Sequence, residues 1–212
     1  MFVTLEGIEG SGKSTQAQRL AEALGPDTVL TQEPGGTPLG KGIRELLLGH
    51  RHQGMASAAE ALLYFADRAE HVMRVIRPAL ESGRIVVCDR YTDSAMAYQG
   101  YGRGLSLDLL RGVAELATGG LKPDLTLFLD VPVVTGLGRV RRRGAEDRLE
   151  SEVQEFHQRV RDGYLELMSQ EPGRWVRVDG QGTPDEVAAA LVAAALKAAA
   201  RGRGLGKDHG LR

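Results

Sequence analysis

The chain has 212 residues, 42% of them hydrophobic, and a formal net charge of −1. That length suits one α/β domain with a mobile insertion rather than two domains, and the apolar content is enough for a real core. The balanced charge excludes a global bias toward nucleic acid or membrane, and a single cysteine, Cys88, excludes an intramolecular disulfide framework and a Cys-rich zinc site.

The first predicted element is a strand at 2–6, Phe2-Val3-Thr4-Leu5-Glu6. No signal-peptide pattern precedes it, and no uncharged apolar stretch reaches about 18 residues, so the expected location is cytoplasmic, without a membrane partner. Next comes Gly7-Ile8-Glu9-Gly10-Ser11-Gly12-Lys13-Ser14-Thr15, a G-x-x-x-x-G-K-[ST] match between that strand and a predicted helix at 13–24. Gly7, Gly10 and Gly12 let the backbone curl, so that N–H groups from here through Ser11 to Thr15 point at phosphate oxygens. The helix N-terminus adds partial positive charge. Lys13 can reach the β- and γ-phosphates and Ser14 can ligate Mg²⁺, which makes ATP and Mg²⁺ the expected cofactors. The motif alone does not separate kinases from GTPases or motor ATPases, but the chain contains no asparagine and so lacks the Asn-Lys-x-Asp reader of guanine.

A strand at 28–31 leads through Glu33-Pro34-Gly35-Gly36-Thr37 to helical patterns at 40–48 and 56–81. On the long helix Tyr64 and Arg68 stand four residues apart and share a face. Glu60 and His71 extend this polar stripe, while Leu62, Leu63, Phe65, Ala66, Val72, Met73 and Ile76 read as the core side. The strand at 84–89 is nearly all apolar, with Cys88 as a buried core residue. It ends in Asp89-Arg90-Tyr91, at the edge of an open parallel sheet where ligands bind. There Asp89 can hold Mg²⁺ through water and Arg90 can clamp a phosphate bidentately. A helix at 106–117 and a strand at 124–130 follow. The next helix, 132–142, ends in the cluster Arg139, Arg141, Arg142 and Arg143. A helix at 151–170, a strand at 174–178 and a helix at 184–200 complete the pattern. The Gly-rich, charged end reads as a frayed tail. The five histidines form no ligand-spaced set and are expected to be solvated or capping groups.

Alternation of this kind predicts a five-stranded parallel sheet with helices on both faces. Within it, Asp89-Arg90-Tyr91 followed by Ser94-Ala95-Met96-Ala97-Tyr98-Gln99 resembles the signature of the thymidylate kinase family. Three segments extend the likeness: Glu33 to Thr37, Leu62 to Arg68, and Pro123 to Val131 with the arginine-rich stretch to Asp147-Arg148-Leu149-Glu150. The resemblance spans roughly residues 2 to 195 and is closest to bacterial members. It implies a P-loop nucleoside-monophosphate-kinase fold in one domain, 1–197, with an Arg-rich LID at about 139–150 and a flexible basic tail at 198–212.

The resemblance also implies roles. Glu9 would meet the 3′-hydroxyl of the acceptor sugar. Tyr64 would stack on thymine, and Arg68 would hydrogen-bond the base's carbonyl edge. Arg44 and Arg90 would hold the acceptor phosphate, Tyr98 would crowd the 2′-position, and Ser94 and Gln99 would line the same pocket. Relatives often have Thr or Asn at position 95, so Ala95 removes one polar contact to the base. Eukaryotic-type relatives carry an arginine at the P-loop position that is Gly10 here. The missing charge would then come from the LID, with Arg139 stacking on adenine and Arg143 swinging inward as the finger. The implied reaction moves the γ-phosphoryl of Mg-ATP onto dTMP, in a homodimer that binds no nucleic acid. Another pyrimidine nucleotide or nucleoside kinase, or a nucleotide-dependent switch using the arginine patch on nucleic acid, remain as alternatives.

Overall fold

The computed structural model describes residues 1–144 and 147–205. Its five strands, β1 (Phe2–Glu6), β2 (Val29–Gln32), β3 (Val86–Asp89), β4 (Leu125–Asp130) and β5 (Trp175–Asp179), form one sheet in the order β2-β3-β1-β4-β5. Every pairing is parallel, with Val3 beside Val87 on one side and Leu125 on the other. β1, β3 and β4 are buried along their whole length, as strands covered on both faces must be.

Helices α1 (Lys13–Leu24) and α9 (Pro184–Leu205) cover one face. There Val3, Leu5, Leu127 and Leu129 meet Leu20, Leu191 and Ala195. The other face carries two clusters. Phe2, Val86 and Cys88 pack with Val72, Ile76 and Tyr91, and Phe128 packs with Tyr98, Phe156, Tyr164 and Trp175. Each such buried side chain stabilises the fold by about 1.5–3 kcal/mol. Cys88 is buried and free, as its apolar strand implies.

Helix α2 (Pro38–Leu48) begins two residues before the expected 40, because Thr37 caps it by accepting from the Gly40 N–H at 2.9 Å and Pro38 fits a first turn. The long pattern 56–81 is α3 (Ser57–His71), a wide turn at Val72–Ile76, and α4 (Arg77–Glu81). The wide turn precedes Pro78, which has no N–H for the ladder. The expected core side of this helix holds at Phe65, Val72 and Ile76, which are buried, but not at Leu62, Ala66 and Met73. Its polar stripe points inward, with Glu60, Arg68 and His71 buried, while Leu62 and Met73 face outward at 60% and 61% exposure.

One helix has no sequence forecast. The signature segment folds as α5 (Thr92–Ala95) running into a wide turn, Met96–Gly102. Helices α6 (Leu107–Thr118), α7 (Val133–Arg143) and α8 (Gln154–Gln170) lie close to expectation. The latter starts three residues later than 151, because Asp147 first turns the chain by accepting from the N–H groups of Leu149 and Glu150, both at 2.9 Å. α9 continues to Leu205, beyond the 200 where its pattern fades and into the segment read as tail; residues 206–212 lie outside the described residues.

Candidate functional site

β1 ends at Glu6 and α1 begins at Lys13, so the glycine-rich loop sits at the carboxyl edge of the central strand. Gly7, Gly10 and Gly12 adopt φ of 150°, 70° and 96°, and Gly10 lies against the backbone of α7, where an added Cβ would stand 2.1 Å from the Gly136 carbonyl oxygen. Lys13 is buried and its Nζ donates to the Ile8 carbonyl at 2.8 Å and to Ser11 Oγ at 3.3 Å. Burial, then the nearby Arg90 charge, push its pKa down to about 8.

Ser14 Oγ donates to Asp89 Oδ2 at 2.6 Å, while Asp89 Oδ1 is buried with no hydrogen-bond partner. A hydroxyl beside a half-satisfied carboxylate is an oxygen donor set suited to a hard divalent cation. The trio Glu33, His71 and Cys88 also lies close together. Its polar groups already bond one another: Glu33 takes Arg68 and His71, and His71 takes Thr31 Oγ1 at 2.6 Å.

Across the loop stands Arg90, the one non-glycine residue with positive φ (73°) among the described residues. Holding an arginine there costs about 1–3 kcal/mol and aims its guanidinium back over the loop. Its Nη2 donates to Glu9 Oε1 at 2.7 Å, and its Nη1 donates to Gly7 O and Ser94 Oγ, both at 3.2 Å. Tyr98 donates to Glu9 Oε2 at 2.5 Å. Burial alone would push the Glu9 pKa up, but Arg90, His157 and Lys13 hold it well below the usual carboxylate range.

Arg68 is 1% exposed. Its Nε donates to Glu33 Oε2 at 2.7 Å and its Nη2 to the Tyr91 carbonyl at 2.9 Å, and Nη1 is left without a partner. Arg44 Nη1 donates to Pro34 O at 2.8 Å. Arg44, Tyr64, Arg68, Ser94, Tyr98 and Gln99 all line one cavity of about 420 Å³. Glu9, Gly10, Gly12 to Thr15, Asp89 and Arg90 line the same cavity, and so does Ala95. Gly7 and Ser11 are not among its lining residues.

Arg139 and Arg143 border that cavity from α7. Arg139 Nη1 donates to Gly180 O at 2.9 Å, next to the phosphate loop. Arg143 is 63% exposed in its side chain and pairs with Glu150, whose other oxygen takes the Asp147 N–H at 2.9 Å. Arg148 differs from its neighbours: it is buried and donates to Leu47 O at 2.7 Å and to Glu60 Oε2 at 2.6 Å. Glu60 also accepts from Gln99 at 3.0 Å and from Arg103.

Glu6 and Tyr164 had no place in the sequence reading of the site, and Glu33 and Glu60 were placed on its loop and helix without their partners. Glu6, Glu33, Glu60 and Tyr164 are partners brought together across long stretches of chain. Glu6 accepts from the Tyr91 N–H at 2.9 Å, Ser94 Oγ at 2.6 Å and Tyr164 OH at 2.9 Å. Burial, then Asp93, push its pKa up to about 7. Its only trace in the sequence is a charge ending an apolar strand. His71 and His157 correct the expectation of solvated histidines, since both are fully buried.

A phosphate-cradling loop and a second pocket of arginines, tyrosines and a carboxylate, facing one another in one cavity on a five-stranded parallel sheet, define a P-loop kinase of the nucleoside-monophosphate-kinase class. Comparison with known proteins narrows this. The family model described as thymidylate kinase matches residues 5–191, and the chain belongs to that family. A thymidylate kinase of Desulfovibrio desulfuricans is 52% identical, covering 98% of this chain and 100% of that one. One of a Synechococcus species is 56% identical over 90% and 92%. The crystal structure of thymidylate kinase from Ehrlichia chaffeensis superposes with a TM-score of 0.77 at 34% identity, covering 92% of this chain and 98% of that one.

Proposed function

We propose that the chain transfers the γ-phosphoryl of ATP to dTMP, giving dTDP. The observation that carries this reading is the single cavity lined both by the phosphate loop and by Arg68, Tyr64, Arg90 and Tyr98. Arg68 is the most discriminating group. Two of its nitrogens are spent inside the protein, so Nη1 is a fixed donor seeking an acceptor. A pyrimidine carbonyl satisfies it and the amino group of cytosine does not. Tyr64 offers a ring face for stacking. Glu9 accepts from the sugar 3′-hydroxyl, Tyr98 closes the 2′-side, and Ser94 and Gln99 complete the wall.

The acceptor is a phosphate monoester whose second pKa is about 6, so it attacks as a dianion without a general base. Catalysis is alignment and neutralisation of two anions. Arg90 and Arg44 hold the acceptor phosphate, Lys13 and the loop N–H groups hold the donor, and Arg143 supplies charge to the transferred group. Ser14 and Asp89 would hold Mg²⁺, which when bound offsets charge on the donor phosphates. Residues 139–150 act as the LID, of which 145–146 lie outside the described residues. No helix among the described residues is long and apolar enough to cross a membrane, which suits a cytoplasmic enzyme. The outward Leu62 and Met73 suit a homodimer.

A coupled assay with dTMP, dUMP, UMP, dCMP and AMP tests the reading. Turnover is highest with dTMP and at least ~10-fold lower with UMP or AMP, as a lost hydrogen bond or a steric misfit requires. Comparable turnover of AMP would overturn it.

A further inference from the structure

His157 projects from α8 and is fully buried, with Nδ1 3.4 Å from Glu9 Oε2. That contact lacks hydrogen-bond geometry, and neither ring nitrogen has a partner. Phe156 meets the imidazole edge-on at 5.4 Å. Leaving a buried polar ring unsatisfied is costly, and a phenyl ring would avoid the cost in this aromatic surrounding. An unpaired group of this kind, aimed at a site carboxylate, is a partner waiting for a change in its surroundings.

The change comes from Arg90. Its Nη2 serves Glu9 at 2.7 Å, and its Nη1 reaches Gly7 O and Ser94 Oγ. A dianionic acceptor phosphate competes for the same guanidinium, and bidentate phosphate pairing is the stronger claim. Glu9, 7% exposed, then loses charge compensation at the moment it must stay ionised and face the acceptor sugar.

We propose that His157 is a positioning residue for Glu9: as the acceptor phosphate draws Arg90 away, the Nδ1–H of His157 closes the gap, donates to Glu9 and holds the carboxylate toward the acceptor. The arrangement lets one arginine serve Glu9 and the acceptor phosphate in turn without stranding a buried anion. This rests on the reading of Glu9 as the group facing the acceptor sugar.

A double-mutant cycle with Glu9→Gln tests it. His157→Phe lowers kcat/KM for dTMP at least ~10-fold, the scale of a hydrogen bond to a charged group, and leaves the KM for ATP unchanged. His157→Asn, whose amide nitrogen takes the place of Nδ1, recovers most of the loss. In the Glu9→Gln background His157→Phe adds nothing further. Additive losses, or a His157→Phe enzyme with normal dTMP kinetics beside an impaired Glu9→Gln, would overturn the inference alone. Normal dTMP kinetics for Glu9→Gln would overturn the Glu9 reading and the inference with it. Nitrogen NMR of the unaltered enzyme gives a check that does not rest on variant kinetics. The His157 Nδ1 resonance, assigned by its loss in His157→Asn, shifts on adding dTMP as the new hydrogen bond forms; an unmoved resonance refutes the proposal.

Discussion

At the residue scale the site depends on charges held at unusual values. Lys13 has its pKa pushed down to about 8, chiefly by burial and by Arg90. It is charged below pH 8 and loses its proton as pH rises through 8 in the free enzyme. The value of kcat/KM for ATP should therefore fall above pH 8, about tenfold per unit. ATP favours the charged form, so binding at pH 9 should take up a proton, read by calorimetry in two buffers of different ionisation heat. A flat profile to pH 9.5 would show that Lys13 keeps its charge. The same shift adds stability above the unfolded value of 10.5 that is lost as pH falls through 8, so this lysine is a constant cost at neutral pH. Arg68 carries a second consequence. Its pairing with Glu33 is buried on both sides, 1% and 1%, so Arg68→Ala leaves Glu33 Oε2 without its charge partner inside the protein, with only the His71 ring on the other oxygen. The variant should lose about 3–5 kcal/mol in denaturant unfolding, besides binding dTMP more weakly with the ATP KM unchanged. A variant as stable as the parent would show that Glu33 finds another partner. The sequence exposed Arg68 through its helical spacing from Tyr64. Glu33 was hidden as its partner because they stand 35 residues apart and only the β2–α2 connection brings them together.

The elements were legible where one period dominates. All five strands and the helices on α1, α6, α7 and α9 follow from apolar runs and 3.6-residue spacing. Thr92–Gly102 had no forecast, and its Gly100 and Gly102 stand where Leu107 and Phe156 pack too close for a side chain. The outward face of α3 was misread: polarity marked its inner side, since the core there is a binding site. At the end of α7, Arg143 is exposed and paired with Glu150, while Arg148 is locked to Glu60. This separates the arginines by availability. Arg143→Ala should lower kcat by at least ~10²-fold, below the full 10³–10⁵ of an arginine finger because Arg141 or Arg142 can substitute in part. Both KM values should barely move. Arg148 cannot stand in without abandoning a buried carboxylate. Arg143→Ala within threefold of the parent, measured beside Arg141→Ala and Arg142→Ala, would assign the finger to another residue.

Across the whole molecule, α3 packs on α6, and large apolar groups stay outside: Leu62 on α3, Met73 on the wide turn that follows it, and Leu109 at 74% and Leu116 at 86% on α6. An apolar face of this kind marks a protein interface. If these groups form the seam of the proposed homodimer, Leu116→Glu should lower the sedimentation coefficient from the dimer's to the monomer's value, and an unchanged coefficient would refute a seam at Leu116. Because α3 also carries Tyr64 and Arg68, such an interface would brace the acceptor pocket from behind. On the opposite side of the cavity, the phosphate loop and α7 meet backbone to backbone, with Gly10 against Gly136 and room for a side chain on neither. That contact shapes the routes open to descent. A lineage built this way cannot acquire a phosphate-loop arginine by one codon change, since any side chain at position 10 strikes the α7 backbone before it can reach ATP. α7 must first retreat, and an ancestor with α7 withdrawn gives up the placement of Arg139 and Arg143 before gaining a replacement. With Arg143 in the proposed role, the two ways of supplying the same charge exclude one another in this backbone, since the contact that holds α7 against the loop is the one a side chain at position 10 would break.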